Sequence, residues 1–389
     1  MIGKIIAVFG IVMMLGFLYL ISPNKKDVNW RAVGAAVGVQ LVLASILLLT
    51  PAWKLVEWIA SGFSWLVAQS SEGISFVFGG LSREYVMFFD ALLPVVFLSA
   101  FMGLLFHFGI IQKIVKFVGM TIAKLFNIST LSAVNHTANM FLGQSDSLMV
   151  TKSYVPKASD SVIFALVVGG FSSISISVMG LYSSLGASME WIVASLPLTV
   201  LSTIMTTQIL FPTKYEGGEL ELEDDKGVNF LDTMMNYAQD GFRAVIGIVV
   251  ALMVFISMVY MINNLIGLIF PSMTLQGIIG LLFYPLAWLM NIPTAELGMV
   301  SEILASKLAF NEAVAFGLPE FAMLSEKAKA MVTVALCGFA GFGSIGIMCG
   351  TMVGVAPSKV KVVARLGFIA LLCATIGNLI TGTVVGLFL

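Results

Sequence analysis

Long apolar runs separated by short polar links dominate the chain, at residues 5–21, 33–51, 162–185, 191–211, 244–270, 331–355 and 366–389. Each is long enough to cross about 30 Å of hydrocarbon as a helix, whereas barrel strands would alternate at half that length. A further span is expected from about Val86 to Phe108. Two stretches depart from this pattern. Residues 52–76 mix Trp53, Trp58, Phe63 and Trp65 with Lys54, Glu57 and several serines, as suits a helix lying at the membrane interface. Residues 110–126 set Lys113, Lys116 and Lys124 among apolar positions, which predicts an amphipathic surface helix.

Between Ser129 and Lys157 the hydropathy fails without becoming a plain loop. Leu131, Val134, Met140, Phe141 and Leu142 alternate with Asn135, His136, Asn139, Gln144, Ser145 and Asp146. Such a segment fits a re-entrant hairpin held inside protein, because lipid cannot satisfy non-helical amides. Residues 293–326, with Glu296, Glu302, Lys307, Asn311 and Glu312, read the same way. An internal echo supports two related halves: Gly170-Phe171-Ser172-Ser173-Ile174-Ser175-Ile176 and Gly341-Phe342-Gly343-Ser344-Ile345-Gly346-Ile347 share Gly-Phe-x-Ser-Ile-x-Ile, 171 positions apart. Glycine and serine there predict broken helices whose opened carbonyls suit a small hard cation. The bland alternative is a close crossing of helices through small residues.

With 59% hydrophobic residues, 11% charged residues and a mean hydropathy of +1.02, the 389-residue chain has too little polar surface for a soluble globule. The expected fold class is an all-α polytopic membrane protein, with about eight transmembrane helices and two re-entrant hairpins in inverted repeats. The first run shows no small-x-small cleavage site and reads as a retained span. Lys25, Lys26 and Arg31, and again Lys359, Lys361 and Arg365, place their links in the cytoplasm and both termini outside, with Lys327 and Lys329 arguing the other way. Cys337, Cys349 and Cys373 have no metal spacing and read as packing residues. The polar linker 213–232, carrying Glu216, Glu219, Glu221, Glu223, Asp224 and Asp225, reads as a solvated cytoplasmic connection without rigid ligand geometry.

An ionised carboxylate at the bilayer centre costs at least about 2.5 to 3.5 kcal/mol, so Asp146 and Glu312 require explanation. Each either pairs with a lysine, Lys307 standing nearest Glu312, or faces a polar cavity and accepts hydrogen bonds from a solute. Gln144, Ser145 and Asp146 together offer an amide, a hydroxyl and a carboxylate, a set able to read a nucleobase edge. His107 and His136 lack partners at ligand spacing; His136 reads as a hydrogen-bonded member of the hairpin.

Four ordered elements resemble those of the concentrative nucleoside transporter family: Asn139-x-x-x-Gly143-Gln144-Ser145-Asp146; Leu275-Gln276-x-Ile278-x-Gly280 with Pro285-x-Ala287-Trp288-x-Met290-x-x-Pro293; Lys307-Leu308-x-x-Asn311-Glu312-x-Val314-Ala315; and Phe339-Ala340-Gly341-Phe342-Gly343-Ser344-Ile345-Gly346. The resemblance implies a trimeric scaffold and a mobile transport domain in the cytoplasmic (inner) membrane of a bacterium, with nucleoside uptake driven by a sodium or proton gradient. It implies no enzymatic activity, no organic cofactor and no nucleic-acid partner; the lipid bilayer, the nucleoside and two further copies of the chain are the expected partners. Gln144, Ser145 and Val178 would face the base, and Glu312 and Ser344 the ribose, with Phe339 lining the pocket and Asp146 and Gly341 counted among the substrate-binding positions. Asn139 and Ser173 side chains and the Leu142 and Ile174 carbonyls would hold sodium. Three positions depart from the family pattern: Asp146 replaces a glutamate, Gly341 replaces an asparagine that would touch the sugar, and Gly343 replaces the first serine of that element. The implied organisation is 1–127 scaffold and interfacial helices, 128–211 first transport repeat (hairpin one, broken helix, span five), 212–240 cytoplasmic acidic linker, 241–292 scaffold span six and the following segment, and 293–389 second transport repeat (hairpin two, broken helix, last span). The rival functions are a cation channel or uniporter, a symporter of another base-containing solute such as a nucleobase, and an intramembrane hydrolase with Asp146 and Glu312 as a dyad. The last lacks any Gly-x-Ser-x-Gly or His-Glu-x-x-His motif.

Overall fold

The computed structural model describes residues 2–79, 86–218, 220–222, 227–271 and 273–389, and is nearly all helix. Helices α1 (Ile2–Ile21), α2 (Trp30–Leu49) and α3 (Trp53–Phe78) open the chain, and α4 (Pro94–His107) follows a π-helical turn, Phe88–Leu92. Helix α5 (Ile110–Phe126) buries Ile111, Val115, Gly119, Ala123 and Phe126 on one face, the spacing expected of the amphipathic reading, and leaves its lysines off that stripe. Its ends are set by Gly109 and Asn127, both in the left-handed region.

The first repeat comprises α6 (Thr130–Leu142), α7 (Asp146–Met149), α8 (Asp160–Ser172), α9 (Met179–Ser184) and α10 (Met189–Leu210). The second comprises α13 (Leu297–Ala309), α14 (Glu312–Phe316), α15 (Pro319–Met323), α16 (Glu326–Leu336), α17 (Phe342–Val355) and α18 (Val360–Phe388), after the lone pair α11 (Phe230–Gly267) and α12 (Leu275–Leu289). Seven helical segments among the described residues are long and apolar enough to span a membrane, and α12 and α17 are shorter apolar helices. The apolar runs 162–185 and 331–355 are each broken, at 173–175 and 337–341, as the glycine and serine content predicts.

Helices α10 and α18 form the packed centre. Both are mostly buried, they pack on each other, and α18 also carries α8, α16 and α17. Most buried hydroxyls of α10 are satisfied locally, Thr203 and Thr207 donating to the carbonyls one turn back at 2.9 and 2.7 Å, whereas Thr199 Oγ1 has no partner among the described residues. Gln40 of α2 donates to Leu198 O at 2.8 Å and to Thr381 Oγ1 at 3.3 Å, tying α2, α10 and α18 into one buried polar contact. By contrast α11 packs mainly on α4 and leaves much of its apolar surface exposed.

Two expectations change. The linker is not simply solvated: Leu220 is buried, and Glu221 N donates to Tyr154 Oη at 3.0 Å. Glu219, Glu223, Asp224 and Asp225 lie outside the described residues. The stretch 230–240, assigned to the linker, is helical, because Asn229 caps Asp232 N at 3.0 Å and Asp232 Oδ2 takes Val228 N at 2.9 Å.

Candidate functional site between the hairpins

Each repeat places a hairpin tip against a broken helix. At the first tip α6 ends at Leu142, and Gly143 turns the chain with φ +85°, a conformation that disfavours any side chain. A Cβ at Gly143 would press on Ser175 of the first break and approach Phe339 of the second, so one glycine brings both halves together. Gln144 packs on Gly170 beside Met348, and its Oε1 is buried without a protein partner.

The two return helices cross to the opposite repeat. Ser145, just before α7, hydrogen-bonds Thr351 of α17 at 2.8 Å. Glu312, first residue of α14, accepts from Tyr182 Oη of α9 at 2.7 Å. The same arrangement thus occurs twice with the halves exchanged, the pattern expected of inverted repeats. Tyr182 is held by its ring as well, stacked on Phe316 at 5.0 Å.

The predicted residues separate into groups. Gln144, Ser145, Phe339 and Ser344 lie at or next to the junction of the first tip with the second break, Ser344 Oγ donating to Phe339 O. Gly341 is seated against the Lys307 and Phe310 carbonyls of hairpin two, where a Cβ would stand 3.1 Å from each. Val178 is buried at the end of the 3₁₀ turn Ile176–Val178, directly before α9. The carboxylates differ: Glu312 is 8% exposed, while Asp146 is exposed and has a partner of its own. Lys307 makes no direct bond to Glu312, although the two charges attract; its ammonium donates to Ala335 O at 2.7 Å.

Asn139, Leu142, Ser173 and Ile174 are all buried. Asn139 lies against Gly169, to whose carbonyl Ser173 Oγ donates at 3.5 Å, so both side chains border the last turn of α8. Asn139 Oδ1 also accepts from Ser147 Oγ at 2.8 Å and its Nδ2 donates to Asn135 Oδ1 at 3.0 Å, which orients the amide. These donors are neutral oxygens, a chemistry that fits a hard monovalent cation. No group of three or more His, Cys, Asp or Glu able to hold a metal occurs among the described residues. A polar cavity of about 630 Å³ lined by Asn24, Lys26, Asn127 and Lys214 shares no residue with this site.

Sequence reasoning missed Tyr182, Thr351, Asn378 and Ser147. Only isolation hinted at them: Asn378 is an amide alone in the apolar last helix, and Tyr182 lies one turn beyond Val178.

A membrane-embedded bundle with two hairpins and two broken helices meeting at midchain polar groups is a secondary transporter with scaffold and transport domains. Residues 9–81 match the family model described as Na+ dependent nucleoside transporter N-terminus, and residues 191–386 match its C-terminus. The chain belongs to the concentrative nucleoside transporter family. It is 32% identical over 98% of its length to an uncharacterized transporter of Haemophilus influenzae, of which 97% is covered. It is 27% identical over its whole length to the nucleoside permease NupC of Helicobacter pylori, with 98% of that protein covered. The structure of CNTnw in an inward-facing substrate-bound state superposes with a TM-score of 0.92 at 29% identity, covering 99% of this chain and 98% of that one.

Proposed function

We propose that this protein is a sodium-coupled nucleoside symporter of a bacterial inner membrane, working as a trimer whose two repeats, 128–211 and 293–389, move as a transport domain against the helices of 1–127 and 230–292, with 212–229 as the connecting linker. The observation that carries the reading is the buried Gln144 Oε1 without a protein partner, beside the junction of hairpin one with the second break. An unmet buried acceptor costs about 1–3 kcal/mol, which a base N–H would recover. Ser145, Asp146 and Val178 complete the base side, Phe339 supplies a ring face, and Glu312 and Ser344 take sugar hydroxyls, with Tyr182 holding one Glu312 oxygen. Sodium on Asn139, Ser173 and the Leu142 and Ile174 carbonyls would join hairpin one to the end of α8, so each ligand strengthens the other. A neutral oxygen set favours sodium over a proton carrier.

Gly341 favours one variant of this reading. Hairpin two closes directly on it, leaving no amide for a ribose, so deoxynucleosides or nucleobases enter as candidate solutes. The test is uptake of labelled ribonucleosides, deoxynucleosides and nucleobases into proteoliposomes under inward sodium, inward proton or no gradient. Accumulation with sodium alone is expected. Absence of gradient-driven accumulation for every solute of the panel rejects symport, and Glu312→Gln retaining an ion current while solute binding disappears identifies a channel.

A further inference from the structure

The broken helices α8 and α16 end close together, and their negative ends are treated differently. Lys307 is 3% exposed, and its ammonium sits on Ala335 O, in the last turn of α16, at 2.7 Å. In the amide orientation that gives both its ends partners, Asn378 accepts from Lys307 Nζ at 2.8 Å and donates to Ser172 O, at the end of α8, at 2.9 Å. Gly338, just beyond α16, lies so near Asn378 and Ser172 that a Cβ would overlap both. A continuous set of contacts therefore joins hairpin two, the end of α16, α18 and the end of α8.

Carbonyls at a helix C-terminus lack internal donors and carry about half a negative charge, so a cation there is favoured, the more so away from water. Hairpin two brings that cation with it: Lys307 stands in the last turn of α13. Hairpin one brings no lysine or arginine to α8 among the described residues: the amide of Asn139, in the last turn of α6, and the His136 ring one turn earlier are what lie against Gly169 near its end. Glu312 takes its direct hydrogen bond from Tyr182 and acts on the Lys307 charge only through space, so the ammonium's direct bond goes to the helix end.

We propose that Lys307 is a tethered cation, the positioning residue that does for hairpin two and α16 what a dissolved cation does for hairpin one and α8. Hairpin two then stays docked whether or not an ion is present, and only hairpin one responds to it. This rests on the reading of the first-half donor set as a cation site.

Hydrogen–deuterium exchange of the full-length protein in nanodiscs, in sodium and in choline buffer, tests it. In the wild-type protein, exchange over residues 310–318 is expected to be equal in the two buffers; faster exchange there on sodium removal overturns the proposal. Residues 139–147 report separately on the proposed function, since they should loosen in choline if sodium binds hairpin one. In Lys307→Ala, exchange over 310–318 should rise roughly tenfold or more, the loss of one charge-assisted hydrogen bond, and fall again with n-propylammonium, which replaces the deleted atoms, or with sodium. Unchanged protection in the variant, or no recovery with either cation, assigns Lys307 a packing role and overturns the tether. If the variant does not fold, the wild-type comparison decides.

Discussion

Tyr182→Phe isolates the crossed contact that orients Glu312. The substitution removes one hydroxyl and keeps the ring, so the stacking on Phe316 at 5.0 Å and the burial of the side chain, 1% exposed, should survive. What disappears is the 2.7 Å bond to Glu312 Oε1. A hydrogen bond to a charged group is worth about 1.5–3 kcal/mol, which bounds the loss of docking energy between α14 and α9. The part felt in solute affinity is smaller: a freed glutamate must be ordered again on binding, at up to about 1.5–2 kcal/mol of side-chain entropy, or at most roughly 10- to 30-fold in Kd. Calorimetry of nucleoside binding at saturating sodium measures it. Because Tyr182 acts through Glu312, the same change in a Glu312→Gln background should have little further effect. A Kd altered less than twofold by Tyr182→Phe alone, or two independent additive losses, would refute the reasoning.

Gly341→Asn pushes a Cβ against the Lys307 and Phe310 carbonyls, 3.1 Å away, so hairpin two must retreat; uptake should fall several-fold, with ribonucleosides favoured over deoxynucleosides relative to wild type in a competition assay. Gly119→Val should lower the thermal unfolding midpoint by an amount equivalent to about 1–3 kcal/mol, because a Cβ there lies 2.6 Å from the Val134 backbone across α5 and α6. Arg365→Ala removes the 2.7 Å pair with Asp160, but both side chains are more than half exposed, so unfolding should shift by under about 1 kcal/mol and uptake should not change measurably.

Hydropathy made the spans, the hairpins and the amphipathic α5 legible, because lipid imposes one rule on every exposed position: apolar side chains outside and satisfied amides throughout. Lys113, Lys116 and Lys124 therefore marked a surface helix without knowledge of its neighbours, and the Gly-Phe-x-Ser-Ile echo marked two helix breaks. The echo misled in one respect. Its first copy runs from the end of α8 through the break at 173–175, whereas its second lies almost wholly in α17, after the break at 337–341. Small residues announce that a helix can open; which residue stays helical depends on what docks there.

Local rules do not reach pairings such as Tyr182 with Glu312, Ser145 with Thr351 and Lys307 with Asn378. Each joins residues far apart in the chain: the first two exist only once the two repeats interlock, and the third only once hairpin two docks on the last helix of its own repeat. A carboxylate in an apolar run declares that it needs a partner, but a hydroxyl elsewhere carries no mark of being that partner. Asp146 and Glu312 looked alike in sequence, yet one is exposed and the other buried, since burial is a property of the packed assembly and not of the residue type.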